Sequence, residues 1–145
     1  MKAHIIEDMK AALRAQDKPR LGAIRLILAA IKQKEIDERI VLTDPQVVSI
    51  LESMQKQRRE SIAEFGKAQR QDLVDKEQFE LSVIQQYMPE PLAAEALEAI
   101  IKQTIIAVKA TSAKEMGAVM AALKPKIHGR ADMAAVSGRV RALLL

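Results

Sequence analysis

The chain has no cysteine and no tryptophan in its 145 residues. Disulfides, thiolate-held zinc and cysteine nucleophiles are excluded at once. Aromatic side chains make up 2% of the sequence, namely Phe65, Phe79 and Tyr87. That is too few for a platform on which single-stranded bases stack. Five glycines and five prolines are too few for a loop-rich sandwich or barrel, and β-branched alternation between regular turn signals is missing. No apolar run approaches the roughly 18 residues of a membrane span. The stretch from Met1 to Lys10 carries Glu7 and Asp8 and lacks the apolar centre of a secretory signal. On these grounds a cytoplasmic protein without a membrane partner is expected.

What remains is the vocabulary of helices. Ala, Leu, Met, Lys, Glu, Gln and Arg dominate, and the apolar half of the chain (49%) is almost wholly aliphatic. The expected fold class is all-α. Ile5, Met9 and Leu13 mark a first helix over about 2–16. Asp17 caps a second, with Leu21, Ile24, Leu28 and Ile31 facing inward. Thr43 and Gln46 form a capping box for a third over about 44–67, carrying Val47, Leu51, Met54, Ile62 and Phe65. Val74, Leu81, Ile84 and Met88 mark a fourth over about 71–87. Pro89-Glu90-Pro91 then stops the helix and stiffens the link. The expected organisation is an N-terminal helical unit, 1–88, a linker, 89–91, and a three-helix unit, 92–145. In the last, Leu97 to Val108 form a fifth helix. Ser112 and Glu115 cap a sixth that Pro125 ends, and Asp132 caps a seventh bearing Val136, Val140, Leu143 and Leu144.

Two residues stand out against these patterns. Arg58 lies on the apolar stripe of the third helix, midway between Leu51 and Phe65. It either pairs with an acid of a neighbouring helix or contacts a ligand. Gly117 sits early in the sixth helix, where it implies tight helix packing or close approach of a partner.

Chemistry is hard to find. His4 and His128 are the only imidazoles, and no Gly-x-Ser-x-Gly elbow, His-Glu-x-x-His pair, P-loop or dinucleotide turn is present. Acids alternate with Lys and Arg at helical spacing, which reads as surface pairing. Catalysis by this chain alone is therefore not expected, and nothing implies a metal or cofactor. Charge is more informative. Residues 1–89 hold 15 basic and 14 acidic side chains, whereas residues 90–145 hold 8 and 5. The segment Lys124-Pro125-Lys126-Ile127-His128-Gly129-Arg130 gathers cations on one expected loop, followed by Arg139 and Arg141. A helix N-terminus at Asp132 faces the same loop. Lys124, Lys126, His128, Arg130, Arg139 and Arg141 are thus the candidate nucleic-acid contacts, suited to the phosphates of a folded RNA.

The same residues carry a resemblance. Glu115-Met116-Gly117-Ala118-Val119-Met120 and Leu123 to Asp132 resemble the signature of the GatB/YqeY-like family. Leu21–Leu28, Lys56–Phe65 and Tyr87-Met88-Pro89-Glu90-Pro91-Leu92 resemble its other segments, in order along the whole chain. The resemblance implies a helical unit followed by a three-helix unit, akin to the tail of the Asp/Glu-tRNA amidotransferase B subunit. It further implies an accessory protein that holds tRNA or another structured RNA. The chemistry associated with such relatives is carbon–nitrogen ligation with glutamine as amide donor. Docking to an amidotransferase or aminoacyl-tRNA synthetase subunit is the alternative. Ala118, His128 and Met133 depart from the pattern, standing where Lys, Lys and Gly are common, and Ala93 replaces a capping Ser.

Overall fold

The computed structural model describes residues 1–145 and is all-helical. Its helices are α1 (Lys2–Arg14), α2 (Lys18–Glu38), α3 (Asp44–Lys67), α4 (Gln71–Gln85), α5 (Ala94–Ala107), α6 (Met116–Ile127) and α7 (Met133–Leu144), with a 3-10 turn, Ala113–Glu115, before α6. The chain divides into two compact units, Met1–Met88 and Pro89–Leu145. No helix is long and apolar enough to cross a membrane.

In the first unit the helix ends follow from local side chains. The Asp17 carboxylate accepts the Arg20 N–H at the start of α2, and Pro19 occupies its first turn. Gln46 accepts the Thr43 N–H at 2.9 Å, which fixes the start of α3. Arg39 ends α2 in the left-handed region at φ 54°, and the Ile40 N–H folds back onto the Glu35 carbonyl. This is a Schellman-type stop without glycine. The core is aliphatic, with Ile5, Ile24, Ile27, Ile31, Val47 and Leu51 fully buried. On α1 the expected stripe is half right. Ile5 and Ala12 are buried, while Leu13 is 55% exposed. Two steps of four residues drift about 80° around a helix, whereas one step of seven drifts only about 20°, so Ala12 and not Leu13 stays over the core.

Arg58 pairs with acids. Its Nε lies 2.9 Å from Glu80 Oε2 and 3.5 Å from Glu77 Oε2. The three side chains are 16%, 11% and 17% exposed, so one guanidinium serves two largely buried carboxylates. Arg58 Nε and Glu77 Oε2 are close without being aligned as a hydrogen bond. A second polar join links Tyr87 to α1, where its hydroxyl donates to Asp8 Oδ2 at 2.6 Å.

The second unit has a plainer core of Ile101, Val119, Leu123, Ile127, Val136, Val140 and Leu144. Thr104 is its one buried polar residue, and its hydroxyl donates to the Ile100 carbonyl. The Glu115 carboxylate accepts the N–H groups of Thr111 and Ser112 ahead of α6. α5 starts at Ala93 without a side-chain cap. Two expectations fail here. Pro125 does not end α6, which runs on to Ile127. Ile127 is fully buried, and burying an isoleucine contributes about 1.5–3 kcal/mol. That offsets most of the about 3 kcal/mol a proline costs inside a helix. Gly117 does not mark tight packing either, because a Cβ added there meets nothing within 4 Å.

Candidate nucleic-acid interface

The extension of α6 changes the geometry of the basic segment. Lys124 and Lys126 belong to the last helical turn and not to a loop. At about 100° per residue, they fall on opposite flanks of the buried Leu123–Ile127 face. Lys126 turns towards α5, where its ammonium donates to Thr104 Oγ1 at 3.2 Å. Lys124 stands on the other flank, exposed and without a partner in the chain. His128 caps α6 and is half-buried. Gly129 then takes φ 72°, the left-handed turn that a glycine permits at no steric cost.

Arg130 is spent within the fold. Its Nε donates to the Glu90 carbonyl at 2.9 Å, its N–H to the Ile127 carbonyl, and its own carbonyl accepts the Leu92 N–H. The residue clasps the turn after α6 to the segment before α5.

α7 repeats the division seen on α6. Arg139 and Arg141 flank the buried Val140 on opposite sides. Arg139 reaches α5 and forms a two-pronged pair with Glu98, its Nη2 lying 2.6 Å from Oε1 and its Nε 2.8 Å from Oε2. The hydrogen bond from Arg139 holds the Glu98 carboxyl below the usual carboxylate range, and Glu98 raises Arg139 in turn. Arg141 is exposed and has no partner. The start of α7 is also occupied. Asp132 accepts the Ala134 N–H at 3.3 Å, so its carboxylate sits where a phosphate would seek the helix dipole.

The six candidates are therefore not one cluster. Lys126, Arg130 and Arg139 face α5 or the segment before it, each engaged by the chain. Lys124 and Arg141 lie on the flanks of α6 and α7 turned away from α5, with their charge unspent. Of the residues that engage the others, Glu90 was read only as linker and Thr104 only as part of the fifth helix, and Glu98 escaped the sequence reading. Only the Glu98–Lys102 spacing, a one-turn pair at 3.8 Å, hints at a structural role for Glu98. No three His, Asp or Glu side chains converge as a metal site.

The sequence model of the family described as Yqey-like protein matches residues 2–144. Three relatives all bear the name altered inheritance of mitochondria protein 41, mitochondrial. The protein of Pyrenophora tritici-repentis is 34% identical over 137 residues, covering 92% of this chain and 75% of its own length. That of Eremothecium gossypii is 46% identical over 87 residues, 59% of this chain. The match spans about half (48%) of that relative's length. That of Saccharomyces cerevisiae is 36% identical over 105 residues, 70% of this chain and 57% of the relative. These relatives are named as mitochondrial proteins, which overturns the cytoplasmic expectation. The acids of Met1–Lys10 and the lack of a helix apolar enough to cross a membrane do not distinguish the cytosol from the mitochondrial interior.

Proposed function

Because the chain belongs to the YqeY-like protein family, related to the tail domain of the amidotransferase B subunit, we propose that it is an accessory protein binding tRNA or another structured RNA. The observation that carries this reading is the uneven charge. Residues 117–145 hold five Lys and Arg against the single acid Asp132. Lys124 and Arg141, exposed on α6 and α7, are the primary phosphate contacts. Lys126 and Arg139, on the opposite flanks of the same helices, and His128, at the end of α6, support them. Arg130 contributes by holding the turn. Recognition is by backbone and shape, since no aromatic lies in this unit. This chain supplies binding alone, and any glutamine-dependent carbon–nitrogen ligation belongs to a partner amidotransferase.

Electrophoretic mobility shift of total tRNA by the full chain, at low and at moderate salt, tests the reading. A retarded complex that weakens steeply with salt is expected. No complex at low salt would refute it.

A further inference from the structure

α2 has a second face that its core does not use. Within the helix, Gly22, Leu26, Ala29, Gln33 and Ile36 recur at alternating steps of four and three. That is the seam of a two-helix contact, and it lies opposite the buried Ile24, Ile27 and Ile31. All five seam residues are exposed, Leu26 at 45% and Ile36 at 59%. Ile40, just past the helix, continues the apolar surface at 40%. Gly22 has open space where a Cβ would stand. Beside Gly22 and Leu26 the seam deepens into a groove of about 410 Å³, lined on the far side by Lys76, Phe79 and Glu80 of α4, the last already paired with Arg58.

One edge of this seam is uniformly basic. Lys18, Arg25 and Lys32 recur every seven residues, and Arg39 follows at the helix cap. None is engaged by another side chain, and neither is Lys76 across the groove. Elsewhere in this unit most cations have a nearby acid, as Arg58 has Glu80 and Lys34 has Glu38, and the exceptions Arg14, Lys56 and Arg59 do not line up along an apolar seam of α2. The edge of α2 is left unbalanced next to exposed aliphatic surface.

We propose that the outer face of α2 is a docking seam for one helix of another protein, aliphatic at heptad spacing and acidic along the edge that meets Lys18, Arg25 and Lys32. The small residues Gly22 and Ala29 admit close approach of a helix backbone, and large aliphatic side chains of the partner fill the groove beside Leu26 and Phe79. An RNA would satisfy the cations but leave Leu26 and Ile36 in water. A second copy laid antiparallel would set Lys32 against Lys32 and Arg25 near Arg39, which is repulsive. A membrane surface favours a broad apolar face with cations on both sides. Here the seam is narrow, broken by Gln33, and Asp37 lies on its other edge.

The test uses two synthetic peptides, three heptads long, with the same Leu/Ile stripe and either Glu or Lys on the flanking positions. They are titrated into the isotopically labelled full chain. The Glu-edged peptide should shift the amide resonances of Gly22, Leu26, Ala29 and Ile36. It should bind about tenfold or more tighter than its Lys-edged twin and weaken with salt. Ala29→Glu, at an exposed helical position that tolerates the change, should abolish binding without unfolding the chain. Arg25→Glu with Lys32→Glu should reverse the preference between the peptides. Equal affinity for both peptides, no binding of either, or shifts confined to other helices would overturn the proposal. So would loss of tRNA binding on that charge reversal, binding to anionic phosphatidylserine vesicles in place of the peptide, or a dimer of the chain that Ala29→Glu dissolves.

Discussion

The two units hold their helices together by different means. The first buries charge: Arg58 between Glu77 and Glu80, and Tyr87 on Asp8. The second buries almost nothing but aliphatic carbon and keeps its ion pair, Arg139 with Glu98, at the surface. Aliphatic packing is tolerant of sliding, because one methyl resembles another. A buried guanidinium with two carboxylates has one acceptable arrangement. The first unit is thus the more rigidly specified, and the second the more dependent on the volume of each core side chain.

The largest effect that sharpens this contrast is expected at Arg58. Arg58→Leu strands two largely buried carboxylates, and removing one partner of a buried pair costs about 3–5 kcal/mol. Denaturant melts of the full chain should show the first unit losing that stability while amide exchange in α5–α7 stays unchanged. Replacing Arg58, Glu77 and Glu80 together by apolar residues should recover most of the loss. If Arg58→Leu alone is neutral, the pair is not holding α3 to α4.

In the second unit the counterpart is Ile127→Ala. The side chain is fully buried, and such truncations cost about 2–5 kcal/mol. A unit of this size has little stability to spare, so the amide-exchange protection of α5–α7 should collapse while the first unit melts as before. Met120 packs against the same core but is only half-buried, so Met120→Ala should cost less than Ile127→Ala. Equal losses would place Met120 in the core after all.

Tyr87 gives the contrast a pH signature. Burial first, then the hydrogen bond to Asp8, raises its phenol above the ordinary tyrosine value. A raised pKa in the folded state means that the neutral form is favoured by folding. The stabilisation is complete below the unfolded value of about 10 and is lost as pH rises beyond it. Thermal melts should therefore show the first unit weakening above about pH 10, and Tyr87→Phe should flatten that limb. The same variant should cost about 1.5–3 kcal/mol at neutral pH, the range for a hydrogen bond to a charged group. An unchanged alkaline limb in Tyr87→Phe would assign it to other groups.

The smallest effect on stability is expected from Lys124→Ala with Arg141→Ala. Both side chains are exposed and unpaired, so melts should shift by about 0.5 kcal/mol or less. RNA affinity should nonetheless fall, and the slope of log K against log salt should flatten by roughly 2 if both meet phosphates. Melts and mobility shifts on one sample separate the two readouts. An unchanged salt slope would remove both residues from the interface.

Much of the fold was legible because helices advertise themselves locally. Caps at Asp17, Gln46, Glu115 and Asp132 need only neighbours three or four residues away. An arginine on an apolar stripe called for either an acid or a ligand, and the structure supplies the acids Glu77 and Glu80. The candidate site was less legible, for a physical reason. Arg130 and Arg139 look free in sequence, yet their partners, the Glu90 carbonyl and Glu98, are 40 and 41 residues away. Pro125 misled because a proline in the last turn sacrifices little when the next residues, Lys126 and Ile127, bring a buried isoleucine. The basic edge of α2 was hidden by balance: counted over residues 1–89, the cations are nearly cancelled by acids, and only the helix shows which of them share an edge.

The Arg130 clasp has a consequence in time. It joins positions 40 residues apart, so it cannot form until α5 and α6 have both condensed and their connecting loop has closed. Interactions that form after the folding barrier govern the rate of escape from the native state more than the rate of arrival. Arg130→Ala should therefore hasten unfolding of the second unit in stopped-flow experiments while leaving its refolding rate nearly untouched. The clasp would then set how long the unit persists once folded.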